Sequence, residues 1–180
     1  MSTLKVNNLQ DLGADAVVTN GVIEKAALPS GSILQVVSIL KTDTFSSNST
    51  SMVDITGMSA TITPSSSSSN ILVAVTMNVS ADDGQTGGFQ IVRTSTAIGI
   101  GAAAGSRVRV SHPFRGISSN WGGSGAFMIL DSPATASAVT YKVQGRVEAS
   151  SFYLNRSGFD ADSAAYHRGA STITLMEVAG

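Results

Sequence analysis

The chain holds two histidines, His112 and His167, and neither keeps the company that zinc chemistry needs. No H-x-x-x-H or H-E-x-x-H pattern surrounds them. The absence of cysteine removes thiolate ligands, a cysteine nucleophile and a disulfide scaffold together. Asp160 and Asp162 form a D-x-D pair beside Ser163, and Asp82-Asp83-Gly84 is a second acidic turn. Neither has the spacing of a calcium loop, and an Asp side chain that bonds its own turn accounts for both. A glycosidase needs two carboxyl groups about 5–10 Å apart on rigid elements. Asp131, Glu148 and Asp160 are the candidates near strand ends, and no pair stands out among them. Serine is abundant, yet no G-x-S-x-G elbow occurs. The glycines at 99, 101 and 105 lack the G-x-G-x-x-G spacing and any βαβ context, so they read as a turn-rich loop. The expectation is a protein with no catalytic residues, no metal and no cofactor.

Two further features concern binding rather than catalysis. Arg107, Arg109 and Arg115 are the one basic cluster. Without interleaved aromatics it is a weak nucleic-acid signal, and ion pairs to a neighbouring subunit suit it as well. Trp121, set in Asn120-Trp121-Gly122-Gly123, is the candidate surface contact, for a sugar ring or a protein partner. Its alternative is to fold back and plug the core.

Charged residues make up 13% of the chain, about half of what a soluble domain usually carries, and the formal net charge is -1. No long-range field draws in nucleic acid or an anionic membrane. So little charge fits a β surface covered by Ser, Thr and Gly, and it fits a surface partly hidden in an oligomer. The apolar stretches are too short to span a bilayer, and the N-terminus lacks the pattern of a secretory signal. The expected partners therefore exclude nucleic acid and membrane insertion, and the expected place of synthesis is a cytoplasm.

From Ser32 onward the hydrophobic period is two. Ile71, Val73, Val75, Met77 and Val79 alternate with Leu72, Ala74, Thr76, Asn78 and Ser80, and Val139, Tyr141, Val143, Gly145 and Val147 alternate with Thr140, Lys142, Gln144, Arg146 and Glu148. Shorter signals cover residues 33–40, 58–63, 89–93, 107–111, 126–130, 152–155 and 171–178. Turn residues separate them, at Pro64 to Asn70, Asp82-Asp83-Gly84, Gly87-Gly88, Gly122 to Gly125 and Asp131-Ser132-Pro133. About nine strands at this spacing predict an all-β antiparallel sandwich of jelly-roll type over residues 32–180, with an immunoglobulin-like sandwich as the alternative.

Residues 1–31 differ. Leu4, Val6, Leu9, Leu12, Val17, Val18, Val22 and Ile23 keep neither a clean helical nor a clean strand period, and Gly13 and Asn20-Gly21 interrupt them. A segment of this kind cannot bury its own side chains. It is expected to be an extended arm whose eight aliphatic residues anchor it on a partner chain.

Two stretches carry a family resemblance. Leu4-Lys5-Val6-Asn7-Asn8-Leu9-Gln10-Asp11 with Leu28-Pro29-Ser30-Gly31-Ser32-Ile33-Leu34-Gln35-Val36-Val37 resembles the start of short fibre proteins of tailed bacteriophages, many of them marine. Leu130-Asp131-Ser132-Pro133, Val139-Thr140-Tyr141-Lys142-Val143-Gln144, Leu154-Asn155-Arg156-Ser157 and Ala170 to Val178 are similar to the C-terminal domain of phage fibre and virion surface proteins. The order of strands in that domain resembles the trimeric jelly roll of the tumour-necrosis-factor and C1q type. The resemblance implies a homotrimer on the virion surface, held by its arm to a capsid or tail protein and meeting a host glycan or protein. A capsid decoration or cement protein without a receptor is the alternative, and a small polysaccharide depolymerase is the third.

Overall fold

The computed structural model describes residues 28–117 and 123–180, together with three short backbone strands in the N-terminal region. These three are β1 (Asn8–Gln10), β2 (Ala16–Thr19) and β3 (Val22–Ile23), and they pair as an antiparallel meander of their own. The arm is thus not simply extended. Asn20-Gly21, a pair suited to a tight hairpin, lies between β2 and β3.

Eleven strands follow: β4 (Ile33–Lys41), β5 (Phe45–Ser47), β6 (Val53–Ile62), β7 (Asn70–Ala81), β8 (Thr86–Arg93), β9 (Thr96–Ile98), β10 (His112–Arg115), β11 (Gly123–Asp131), β12 (Val139–Val147), β13 (Phe152–Leu154) and β14 (Ser171–Val178). They pair like one long folded hairpin. β4 pairs with β14, β5 with β13, β6 with β12, β7 with β11, and β8 with both β9 and β10. Nested pairing of this kind, wrapped into two sheets, is a jelly roll. An immunoglobulin-like order is excluded by it.

Three more ladders close the sheets. β7 pairs with β14 and β13 on the side away from β11, and β12 pairs with β8. The first sheet therefore reads β11, β7, then β14 with β13, then β4 with β5. The second reads β9 with β10, β8, β12 and β6. The core lies between them. Met58, Ile62, Ile71, Val73, Ile91, Tyr141, Val143, Phe152, Leu154, Ile173 and Leu175 are fully buried. Period-two alternation in β7, β12 and β14 delivers these side chains to one face.

Three local expectations need correction. Residues 107–111 form no strand; the strand is β10, which contains Pro113. A proline has no N–H to donate, and β10 lies at a sheet edge where none is required. Gly87 and Gly88 are not a turn but lie inside β8, because neighbours fill the space their side chains would take. A Cβ on Gly87 would collide with the Phe114 ring, and one on Gly88 would fall 2.5 Å from the Val110 side chain. Gly123 to Gly125 likewise belong to β11 rather than to a loop, with His112 packed against Gly125.

Candidate assembly surface

The outer face of the first sheet is the most unusual surface of the described residues. Ile173 and Leu175 point inward on β14, so Thr172, Thr174 and Met176 point outward. Register then aligns the outward residues of four strands into rows. The rows are Leu40–Thr172–Thr76–Ala126, Ser38–Thr174–Ala74–Met128 and Val36–Met176–Leu72–Leu130. No charge occurs in them. Leu40 and Met128 are each 62% exposed, Val36 57% and Leu130 55%.

The few hydroxyls in these rows are satisfied by one another. Thr76 and Thr172 lie 2.6 Å apart through their hydroxyl oxygens, and Ser38 and Thr174 2.8 Å apart. Covering this face would therefore leave these paired hydroxyls hydrogen-bonded.

The second sheet presents the opposite surface. Its outward side chains are joined in polar cross-strand pairs. The hydroxyls of Thr61 and Thr140 lie 2.8 Å apart, and Gln90 donates to Gln144 at 2.7 Å. Lys142 and Gln144 both donate to the Asp54 carboxylate, at 2.8 and 2.6 Å, and these bonds hold its pKa below the ordinary value. Such a face suits water.

Toward the far end of the first sheet the chain covers its own outer face. β13 and β14 lie on one line beside β7 but are separated by an excursion, residues 156–170. Ser80 donates to Arg156 O at 2.8 Å, and Gly169 sits against the Asn78 side chain, so the excursion rests on the outward residues of β7. Asn155 makes the break possible. It adopts a left-handed backbone (φ 61), and its amide donates to the carbonyls of Lys41 and Asp43, both at 2.9 Å. Its side-chain oxygen accepts from the Ser171 hydroxyl at 2.7 Å. The excursion is braced by Arg156 and Arg168 on Asp160, and Phe159 packs on Tyr166 with ring centroids 5.6 Å apart.

The structure also brings out a residue for which the sequence carries no signal. Glu177 sits at a core-facing position of β14 and is fully buried. Burial alone would raise its pKa. The Ser65 hydroxyl and N–H, each at 2.6 Å, and the Gln35 amide at 2.6 Å overcome this and hold it at about 2. Ser65 of the serine run thus joins a buried lock and Ser69 is 2% exposed, while Ser66, Ser67 and Ser68 remain an exposed rim. Period two from Ile173 and Leu175 puts residue 177 on the core side, and a lone carboxylate there makes sense only once its partners are known.

The residues named from sequence fall in different places. Leu9, Val17, Val18, Val22 and Ile23 lie on β1 to β3, whereas Leu4, Val6, Leu12 and Trp121 lie outside the described residues. His112 is on β10 and faces Gly125, and His167 is exposed in the excursion, far along the chain from it. Asp131 and Glu148 end up on different partners: Asp131 takes Arg93 and Tyr141, and Glu148 takes Thr86. Among the described residues no group of three or more His, Cys, Asp or Glu could hold a metal ion. No protein-family model matches the chain, and no curated protein matches it.

Proposed function

We propose that this chain is a structural protein of a bacteriophage particle, a short surface fibre that assembles as a homotrimer and is anchored by residues 1–31 to a capsid or tail protein. The observation that carries the assembly part is the contrast between the two outer faces. One is an aliphatic, uncharged surface whose hydroxyls are already paired; the other is a polar ladder. A second copy of the chain is the occupant that suits the bare face, because a closed symmetric oligomer hides the same patch on every subunit. The virion part rests on the resemblance of the arm and of the C-terminal strands to phage fibre proteins. Under this reading the polar sheet and the loops look outward to solvent and to the host surface.

Sedimentation of the purified protein at micromolar concentration tests the assembly, with one species near three chain masses expected and a monomer contradicting it. Antibody against the chain, imaged on intact particles, tests the location. Label on the capsid without any binding of the isolated domain to host cells would favour a decoration protein over a receptor-binding fibre.

A further inference from the structure

The described cations divide into two groups. Lys41, Arg93, Lys142, Arg156 and Arg168 each pair with a carboxylate. Arg107, Arg109, Arg115 and Arg146 have no carboxylate partner among the described residues. Arg115 and Arg146 stand on the strands either side of β8, and Arg107 and Arg109 on the loop that leads into β10.

Register places them. Phe89 and Ile91 point into the core from β8, so Thr86 and Gly88 point outward. Arg115 on β10 stands opposite Thr86, and Arg146 on β12 stands opposite Gly88. Two strand spacings and a two-residue offset put their backbones about 12 Å apart. The loop before β10 fills the gap between them. Val110 lies over Gly88, in the space a side chain would occupy, and Arg109 and Arg107 precede it on the same loop.

Three of the guanidinium groups are held in place without being used up. Arg109 Nε donates to Gly101 O at 2.6 Å, Arg146 Nε to Thr50 O at 2.6 Å, and one Arg107 nitrogen to Ala104 O at 3.3 Å. Each carbonyl takes one N–H and leaves others free. A guanidinium fork oriented in this way matches the paired oxygens of a phosphate or carboxylate. Glu148, whose carboxylate Thr86 already engages at 2.6 Å, lies just past β12, two residues from Arg146 and across Thr86 from Arg115. A net charge of -1 does not oppose this, since screening confines the effect to roughly 8–10 Å in physiological salt.

We propose that Arg107, Arg109, Arg115 and Arg146 form a binding site for an anionic polysaccharide whose phosphate or carboxylate groups repeat along the chain. The proposal rests on the reading above only in taking the second sheet as the solvent-facing one. Separate cations carried on backbones about 12 Å apart suit charges repeated along a polymer better than one small anion.

The test uses the full-length protein and fluorescent octamers of poly(glycerol phosphate), oligogalacturonate and neutral dextran. These arms separate phosphate from carboxylate. At least one charged octamer should bind about tenfold or more tighter than dextran, with log K falling against log salt at a slope of about -2 to -3. The Arg109→Gln, Arg115→Gln double variant should lose about tenfold in affinity, whereas Lys142→Gln, whose cation is already engaged by Asp54, should not change it. Equal binding of dextran and both charged octamers would overturn the proposal. So would unchanged affinity in the double variant, or tighter binding of a short DNA duplex than of either octamer. Sedimentation of the same samples reports the oligomer separately, so a monomer that still binds refutes the assembly and leaves the site standing.

Discussion

Tyr141 donates its phenolic hydrogen to Asp131 at 2.7 Å, joining β12 of one sheet to the end of β11 in the other. The same carboxylate receives Arg93 at 2.9 Å on both oxygens. Tyr141 is fully buried, and burial, then the Asp131 bond, push its pKa far above 10. Asp131→Ala would strand a buried hydroxyl and an arginine together, with an expected loss of about 2–4 kcal/mol in urea unfolding. Tyr141→Phe removes one bond and leaves the Arg93 pair, so it should cost about 1 kcal/mol beyond any packing change. The phenol's raised pKa also sets a direction. Its contribution is complete below pH 10 and is lost as pH climbs above it, because only the unfolded chain can then release the proton.

Glu177 works in the acid range. Its pKa is depressed from 4.5 to about 2, so its contribution is complete above pH 4.5 and fades as pH falls toward 2. Glu177→Gln should lower stability at pH 7 by about 1–3 kcal/mol and flatten the pH dependence between 4.5 and 2. Unfolding midpoints across that range, wild type against variant, decide it. A parallel pair of curves would mean that other carboxylates dominate acid unfolding.

Leu40→Glu and Met128→Glu each place a charge on the bare face, on its two outer strands β4 and β11, without touching the core. Either variant should stay folded by circular dichroism and sediment as a monomer, since a buried unpaired carboxylate costs several kcal/mol per interface. Thr140→Glu on the other sheet is the matched control and should leave assembly intact.

Asn155→Ala should be among the most damaging single changes. It loses bonds to Lys41, Asp43 and Ser171 and puts a Cβ-bearing residue without local hydrogen bonding at φ 61. The expected cost is about 3 kcal/mol. Asn155→Gly relieves the backbone strain and isolates the share owed to the amide. Hydrogen exchange in residues 156–170 should speed up in both.

Deleting residues 1–28 should leave a soluble, folded oligomer that no longer joins the particle. The sandwich closes without them: Gly31 N donates to Ala179 O and Ala179 N to Ser32 O, both at 2.8 Å. Normal incorporation of the shortened chain would refute the anchoring role of the arm. Trp121→Ala is expected to spare incorporation, and reduced adsorption to host cells would identify its loop as a contact.

The amino-acid sequence determined which side chains share a face. In β7, β12 and β14 the alternation is strict, and the inward residues Val73, Tyr141 and Ile173 are those that fill the core. It also determined the low charge and the all-β class. Only the tertiary structure decided what covers each face. Thr172, Thr174 and Met176 alternate with the core residues of β14 just as Thr140 and Lys142 do on β12, yet one row lies in an aliphatic sheet and the other in a polar one. The cause is register between strands far apart in the chain, which joins Val36 and Leu130 to the same row through β14 and β7. The same non-local packing turned Gly87 and Gly88 from turn residues into a strand, because Phe114 and Val110 occupy their empty positions. It supplied the partners of the inward Glu177, because Ser65 and Gln35 arrive from distant parts of the chain to hold its charge. Periodicity is a property of neighbours along the chain, and burial is a property of neighbours in space.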